Sequence, residues 1–106
     1  MAKFLWKGRY TTTGMQGVIK EGGNARRNAA EKAVQSAGGH IESMYFAFGD
    51  ADLYVILDFP DATACASGAM HVKAAGGVEI ETVVLLTADE IDRAASLDLD
   101  YRPPGG

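Results

Sequence analysis

Residues 53–59 read Leu-Tyr-Val-Ile-Leu-Asp-Phe, and this stretch decides the fold. It is the most apolar and β-branched run in the chain, which predicts a strand at the centre of a sheet. Residues 40–48 form a second strand-like run, and Gly49-Asp50-Ala51-Asp52 between the two runs has the composition of a turn. So short a connection predicts that the two strands form an antiparallel hairpin.

Downstream of this hairpin, the pattern changes to helix, strand and helix. Pro60-Asp61 begins a helix that extends to about Ala75, where two glycines stop it. Its inner stripe has helical spacing and comprises Cys65, Gly68, Ala69 and Val72. Residues 78–86 predict another strand, and Thr87-Ala88-Asp89-Glu90 is a capping box for a short helix that ends near Ala95.

Upstream, residues 3–10 alternate between two faces and predict the first strand. The hydroxyls of residues 11–13 offer caps for a helix, which Gly22-Gly23 interrupts. Asn24 is the expected cap of a second helix over residues 25–37. The inner face of that helix carries small side chains, at Ala29, Ala30, Ala33, Val34 and Ala37.

The resulting order is β-α-β-β-α-β followed by a short helix and an extended tail. This is the split βαβ pattern of ferredoxin-like α+β domains, in which two helices cover one face of an antiparallel sheet. No internal repeat or linker divides the 106 residues, so we expect one domain over residues 1–106. Residues 96–106 are expected to form a C-terminal arm, because Leu97, Leu99 and Tyr101 share one side of an extended segment. A frayed terminus is the alternative.

The strands are apolar on both faces, although two helices can cover only one of them. In the third strand one face carries Leu53, Val55 and Leu57, and the other face carries Tyr54 and Ile56. Strict alternation in the second strand places Ile41, Ser43 and Tyr45 opposite Met44 and Phe46. An exposed sheet of this kind is an association site. We therefore expect a homodimer or larger homo-oligomer packed face to face through its sheets, with a helix or tail folded over that face as the alternative.

Composition and charge exclude several classes of protein. The net charge is −4, with fourteen acidic and ten basic residues and no basic stripe, so we expect no nucleic-acid partner. No apolar run reaches the length of a membrane span or of a secretory signal, which predicts a soluble, cytoplasmic protein without a membrane partner. The single cysteine excludes an intramolecular disulfide. Two histidines without metal-site spacing predict no metal, and we expect no cofactor.

Segments spread over roughly residues 3–105 carry a family resemblance. They are Lys20-Glu21-Gly22-Gly23, Ala25-Arg26-Arg27, Glu31-Lys32-Ala33, Gly38-Gly39, Tyr45-Phe46-Ala47-Phe48-Gly49, Asp52-Leu53-Tyr54-Val55-Ile56, Asp58, Pro60-Asp61, Gly76-Gly77-Val78, Leu85-Leu86-Thr87, Glu90 and Tyr101-Arg102-Pro103-Pro104-Gly105. The chain resembles the GYD domain family of small bacterial and archaeal proteins. The resemblance implies a fold of the dimeric α+β barrel kind and no particular activity. The family has a tyrosine just before the aspartate that opens the third strand, whereas this chain has Ala51, so a role of that tyrosine does not transfer.

Two groups of residues are candidates for ligand binding. Gly22 and Gly23 precede Arg26 and Arg27 at the start of the second helix, where free N–H groups and guanidinium groups favour a small anion. The alternative is a hinge followed by solvated arginines. Large aromatic side chains opposite alanine-rich helices, Trp6 and Tyr10 among them, favour a pocket for an aromatic ligand. A packed core, in which small helix residues simply accommodate large sheet residues, is the simpler interpretation.

The candidate catalytic residues are His71, Tyr45 and Tyr54. His71 lies beside the inner stripe of its helix, and histidine is the natural proton carrier at neutral pH. No set of nucleophile, base and orienting group can be assembled from these residues.

Three functions remain open on the sequence alone. The first is a small-molecule-binding homo-oligomer. The second is a cofactor-free oxygenase or isomerase of the dimeric barrel kind, acting on an aromatic or polar carbonyl compound, which needs His71, Tyr45, Tyr54 or Arg26 in a shared pocket. The third is a structural or regulatory assembly module that acts through the arm.

Overall fold

The computed structural model covers residues 1–106 and contains four strands and four helices. The strands are β1 (Ala2–Tyr10), β2 (His40–Phe46), β3 (Leu53–Phe59) and β4 (Val78–Leu85). The helices are α1 (Thr12–Glu21), α2 (Gly23–Ser36), α3 (Ala62–Ala75) and α4 (Ala88–Ala95). The predicted elements are therefore all present, with bounds that differ by one to two residues at most ends.

The four strands form one antiparallel sheet in the order β2-β3-β1-β4. β1 and β3 occupy its centre, as the apolar sequence of residues 53–59 predicts. The chain is thus an α+β domain whose sheet order is compatible with the ferredoxin-like pattern. The prediction of fold class is confirmed at that level.

The core lies between the sheet and helices α2 and α3. Alternate residues of β3 point into it, and Leu57 and Phe59 are completely buried. Phe59 contacts the rings of Phe4 and Trp6, with ring centroids 6.2 and 5.6 Å apart. Each fully buried large side chain contributes roughly 1.5–3 kcal/mol relative to an exposed one, so this aromatic cluster anchors the helices to the sheet.

The predicted faces of β2 are wrong because the strand contains a bulge. The pairing with β3 shifts between Ile41 and Ser43, which inserts one extra residue into β2. Ile41 and Met44 therefore face the core together, and both are buried. A bulge reverses the faces of the residues that follow it, and strict alternation cannot anticipate this.

The second helix begins earlier than predicted. Gly22 separates α1 from α2 with φ 87°, and it is the N-cap of α2 in place of Asn24. This left-handed region favours glycine, because a side chain there would clash with the backbone. One glycine turns the chain sharply enough for α2 to start at the next residue.

The outer face of the sheet, which the helices leave open, is less apolar than predicted. Lys3 lies near the start of β1, at one end of this face, and donates hydrogen bonds to Asp58 (2.9 Å) and Glu42 (3.0 Å). These hydrogen bonds, first that to Asp58 and then that to Glu42, raise the pKa of Lys3. Half-buried apolar side chains surround this ion-pair cluster, at Leu5, Ile56, Val83 and Leu85. The outer face is therefore a mixed surface.

α4 and the residues after it extend away from the domain. The predicted capping box of α4 is confirmed, since Thr87 and Glu90 exchange hydrogen bonds between side chain and backbone. None of its residues is buried, and residues 96–106 are exposed throughout. No helix in the structure has both the length and the apolarity needed to cross a membrane.

Candidate ligand cavity

A cavity of about 490 Å³ lies between α2, α3 and the inner face of the sheet. We call it the helix–sheet cavity. Hydrophobic side chains make up 17 of its 22 lining residues. The sequence allowed either a packed core or a ligand pocket between the alanine-rich helices and the sheet. The structure contains both, because the core is packed around Phe59 and open elsewhere along the same interface.

Small side chains on the helices create this space. α2 presents Ala30 and Ala33 to the cavity, and α3 presents Gly68 and Ala75. Gly68 also lets α3 approach the sheet, since a Cβ at this position would lie 3.0 Å from the ring of Trp6. The helices thus come close to the sheet at Trp6, while their alanines fill little of the volume beside it.

Arg26 and Tyr10 provide polar groups at one end of the helix–sheet cavity. The Arg26 guanidinium donates a hydrogen bond of 3.0 Å from Nη1 to the Glu21 carboxylate, and it lies close to the Tyr10 side chain. Burial raises the pKa of Tyr10, and the nearby positive charge of Arg26 opposes this rise. The phenol is therefore protonated at neutral pH and is able to donate a hydrogen bond.

Asp52 fixes the position of Tyr10. Its carboxylate accepts a hydrogen bond of 3.0 Å from the backbone N–H of Tyr10, and its own N–H donates to the carbonyl of Gly8 (2.8 Å). The preceding residue, Ala51, is completely buried. The turn between β2 and β3 is thus tied to the end of β1, from which the Tyr10 side chain enters the cavity wall.

A second, smaller cleft of about 290 Å³ lies on the other side of Arg26 and Tyr10. We call it the glycine cleft, because Gly14, Gly17 and Gly77 form much of its lining. Tyr10, Arg26 and Ala75 line both spaces. The pair of polar side chains therefore stands between an apolar space and a backbone-lined one.

His71 lies at the exposed rim of the helix–sheet cavity on α3. Its Nδ1 is 2.7 Å from the carbonyl oxygen of Ser67, one helical turn earlier. A carbonyl only accepts hydrogen bonds, so Nδ1 carries the proton and Nε2 of the neutral ring is left as an unbonded acceptor. The ring is thereby held in one tautomer.

Trp6 supplies an unusual polar group in the wall of the cavity. Its indole Nε1 is buried and has no hydrogen-bond partner. Cys65 is a neighbour of the indole, but its thiol is not a hydrogen-bond partner of Nε1. Burial raises the pKa of the Cys65 thiol, and the nearby indole opposes this rise. An unpaired buried indole N–H costs about 1–3 kcal/mol, so a change that supplied a hydrogen-bond partner to it would stabilise the domain.

The structure separates the residues that the sequence proposed as a site. Trp6, Tyr10, Arg26 and His71 line the helix–sheet cavity. Tyr45 and Tyr54 pair across β2 and β3 on the outer face and lie outside it. Gly22, Gly23 and the exposed Arg27 belong to the α1–α2 junction and line neither space.

Sequence reasoning did not identify two polar partners in this region. Glu21 pairs with Arg26 across the break between α1 and α2, so the two residues lack helical spacing and no local pattern indicates the pair. Ser67 and His71 are four residues apart within α3, and this spacing did offer a signal. No group of three or more histidine, cysteine or acidic side chains in the structure is arranged to hold a metal ion.

Comparison with known proteins gives one match. The family model of the GYD domain matches residues 4–95, which include all of β2, β3 and β4, all but the first two residues of β1, and extend to the end of α4. Comparison with the curated proteins and with the solved structures gave no match.

Proposed function

The chain belongs to the GYD domain family, and from this premise we propose that it is a homo-oligomeric domain that binds a small molecule in the helix–sheet cavity. The family prediction made from the sequence is confirmed, but membership implies no activity. The single observation that carries the proposal is the cavity itself. Its space of about 490 Å³ opens to solvent beside the exposed Ala33 and His71, and its floor is made of buried side chains that include Trp6 and Val55.

The lining of the cavity supports a ligand site. Small-molecule sites typically enclose about 300–1,000 Å³ and combine an apolar wall with a few convergent polar groups. Here the apolar wall comes from the sheet and the two helices. The polar groups come from Arg26, Tyr10 and His71. An apolar or aromatic molecule with one polar end fits this combination.

The exposed area of the chain supports the homo-oligomer. The chain exposes 7353 Å² and buries only 12 of its 106 residues. A folded monomer of 11.2 kDa is expected to expose about 5,700 Å². The excess is roughly twice the 800 Å² that one partner loses in a standard interface. A second copy is the occupant we propose for that surface.

Two regions are available to the second copy. The outer face of the sheet offers half-buried apolar residues around the Lys3 ion-pair cluster, and packing two such faces together gives the dimeric barrel arrangement that the family resemblance implies. α4 and the C-terminal arm offer exposed apolar side chains, at Ile91, Leu97, Leu99 and Tyr101. We propose that the arm lies on the partner subunit.

Filling the helix–sheet cavity tests the proposed site. Ala33 and Ala25 are both exposed alanines of α2, and Ala33 lines the cavity whereas Ala25 does not. We expect Ala33→Leu to abolish binding of small aromatic compounds and Ala25→Leu to leave binding unchanged. Trp6 is the only tryptophan and lines the cavity, so its fluorescence reports the titration. Equal binding by both variants would refute the site.

A cofactor-free enzyme is the second candidate function, and His71 is the observation that favours it. The bond from Nδ1 to Ser67 leaves Nε2 free to accept a proton at the rim of the cavity. We expect the protein to accelerate deuterium exchange at the carbon next to the carbonyl of an aryl-substituted 2-oxo acid, and His71→Gln to abolish the acceleration. Exchange at the uncatalysed rate with the wild-type protein would eliminate this candidate.

A further inference from the structure

We propose that the ligand is an amphiphilic monocarboxylate, with its apolar body in the helix–sheet cavity and its carboxylate beside Arg26, facing the glycine cleft. This inference rests on the proposed function and names the class of molecule that the same site accepts. It follows from the way in which the two spaces meet at one cationic side chain.

The two spaces differ in chemistry and share a boundary. The helix–sheet cavity is mainly apolar, whereas only two of the seven residues that line the glycine cleft are hydrophobic. Arg26 and Tyr10 line both. A molecule that occupied both spaces would therefore place an apolar part on one side of these residues and a polar part beside them.

Arg26 has hydrogen-bonding capacity left for a ligand. A guanidinium group carries five N–H donors. Arg26 uses Nη1 to donate one hydrogen bond to the Glu21 carboxylate, and its other donors are available to a ligand. The Arg26 side chain is 37% exposed and that of Glu21 is 43% exposed. Partly exposed ion pairs of this kind are weak, so a ligand carboxylate is able to share or displace Glu21.

The charges around the site favour a single negative charge on the ligand. Among the residues that line either space, Arg26 is the only arginine or lysine and His71, on α3, is the only histidine. Glu21 also lines the glycine cleft, and Asp52 lies near Tyr10. A doubly charged phosphate would meet one cation and two carboxylates, whereas a carboxylate can take a two-bond contact with the guanidinium and a hydrogen bond from the Tyr10 phenol.

The test compares acids with alcohols of the same shape. A series of ω-phenylalkanoates of increasing chain length, and the corresponding ω-phenylalkanols, are titrated into the wild-type protein while Trp6 fluorescence is recorded. We expect the acid to bind about tenfold more tightly than the alcohol, because a charge-assisted hydrogen bond is made only by the acid. The preference is expected to peak at the chain length that reaches from the phenyl site to Arg26.

Three variants assign the preference to the proposed residues. Arg26→Gln is expected to bind acid and alcohol equally, and its retained alcohol binding shows that the cavity is intact. Glu21→Gln removes the competing carboxylate and is expected to strengthen acid binding while alcohol binding stays the same. Lys32→Gln removes a positive charge from an exposed position on α2 outside both spaces, and it is expected to keep the wild-type preference.

The outcomes separate this inference from the proposed function. If the wild-type protein binds alcohols and acids equally, or if Arg26→Gln keeps the preference for acids, the monocarboxylate inference is wrong while the cavity remains a ligand site. If no member of either series binds, the proposed function fails and the inference fails with it.

Discussion

At the scale of single residues, Gly14 and Gly17 occupy the same helix in different surroundings. A Cβ at Gly14 would overlap the carbonyl oxygen of Gly77, whereas a Cβ at Gly17 would meet no atom within 4 Å. That carbonyl also accepts a hydrogen bond from the backbone N–H of Thr11, so it cannot easily move. Gly14 is therefore needed for the close approach of α1 to the start of β4.

We predict opposite effects of alanine at the two glycines. Gly14→Ala is expected to lower the free energy of unfolding by about 2–3 kcal/mol, because the backbone must shift to relieve the overlap. Gly17→Ala is expected to raise it by up to about 1 kcal/mol, since alanine favours the helix and restricts the unfolded chain. Urea unfolding measures both values. Equal effects would contradict the proposed contact between α1 and Gly77.

The titration of Tyr10 tests its environment. Burial raises the pKa of its phenol above 10.0 and Arg26 opposes the rise. A folded-state pKa above the unfolded value means that stability falls as the pH rises through it, so this contribution is lost in the alkaline range. We predict that Arg26→Gln raises the pKa of Tyr10 further, as measured by carbon NMR of the phenol ring. An unchanged or lower pKa would contradict the contact.

The sequence predicted the site residues only as far as local patterns extend. Trp6 and His71 follow from strand alternation and from helical spacing, which also place Tyr54 on the opposite face from Val55. The contact of Arg26 with Tyr10 depends on the turn at Gly22, which joins two helices at an angle that no local pattern encodes. The cavity volume depends on how closely the helices approach the sheet, and composition does not determine that distance.

At the scale of elements, α4 is held by its own capping more than by the domain. Its capping box joins Thr87 to Glu90, and none of its residues is buried. A helix of eight residues is marginal in water on its own, so the cap has a large influence on whether it forms. The hydrogen bonds from Thr87, first that from its backbone, lower the pKa of Glu90 below 4.5.

This arrangement predicts that acid unwinds α4. The folded-state pKa of Glu90 is lower than its unfolded value, so its contribution is fully present above about pH 4.5 and is lost as the pH falls through the folded value. As the pH falls below about 4.5, we expect the Cα chemical shifts of residues 88–95 to move from helical values toward random-coil values. Glu90→Gln keeps a hydrogen-bond acceptor without the charge, and it is expected to remove the pH dependence. Persistence of the dependence in this variant would assign it to another group.

The elements illustrate where sequence periodicity succeeds and where it fails. β3 alternates regularly, so its two faces were predicted correctly, and the face with Leu53, Val55 and Leu57 is the buried one. β2 contains a bulge that carries no clear signature in its sequence, and the predicted faces were wrong from Ile41 onward. The capping box of α4 was predicted correctly because it is a local pattern: Thr87 and Glu90 are three residues apart, and each side chain bonds to the backbone of the other.

At the scale of the whole molecule, the chain is more extended than a monomer of its length. Its radius of gyration is 16.9 Å, whereas about 13 Å is expected for a compact domain of this size. The projecting α4 and the arm account for part of the difference. The sequence predicted the C-terminal arm. It overestimated the apolarity of the outer face, where Lys3 and Lys7 of β1 form ion pairs beside the apolar residues of the other strands.

Deleting residues 97–106 tests the role of the arm. We predict that the full-length protein is a dimer or larger oligomer by native mass spectrometry, and that the truncated protein dissociates at concentrations where the full-length protein does not. The reason is the loss of the apolar contacts of Leu97, Leu99 and Tyr101 with the partner. An oligomer of unchanged mass and stability after truncation would show that the arm is not part of the interface, and a monomeric full-length protein would refute the homo-oligomer.

The central claim is that the helix–sheet cavity binds a small molecule, and nitrogen–proton NMR during titration with a phenylalkanoate tests it most directly. We predict that the largest shifts occur at the indole N–H of Trp6 and at the backbone amides of Ala33, Gly68 and Val72, which surround the cavity. The indole resonance is expected to respond strongly because this N–H has no hydrogen-bond partner. Shifts confined to the outer face of the sheet, or no shifts at saturating concentration, would contradict the claim.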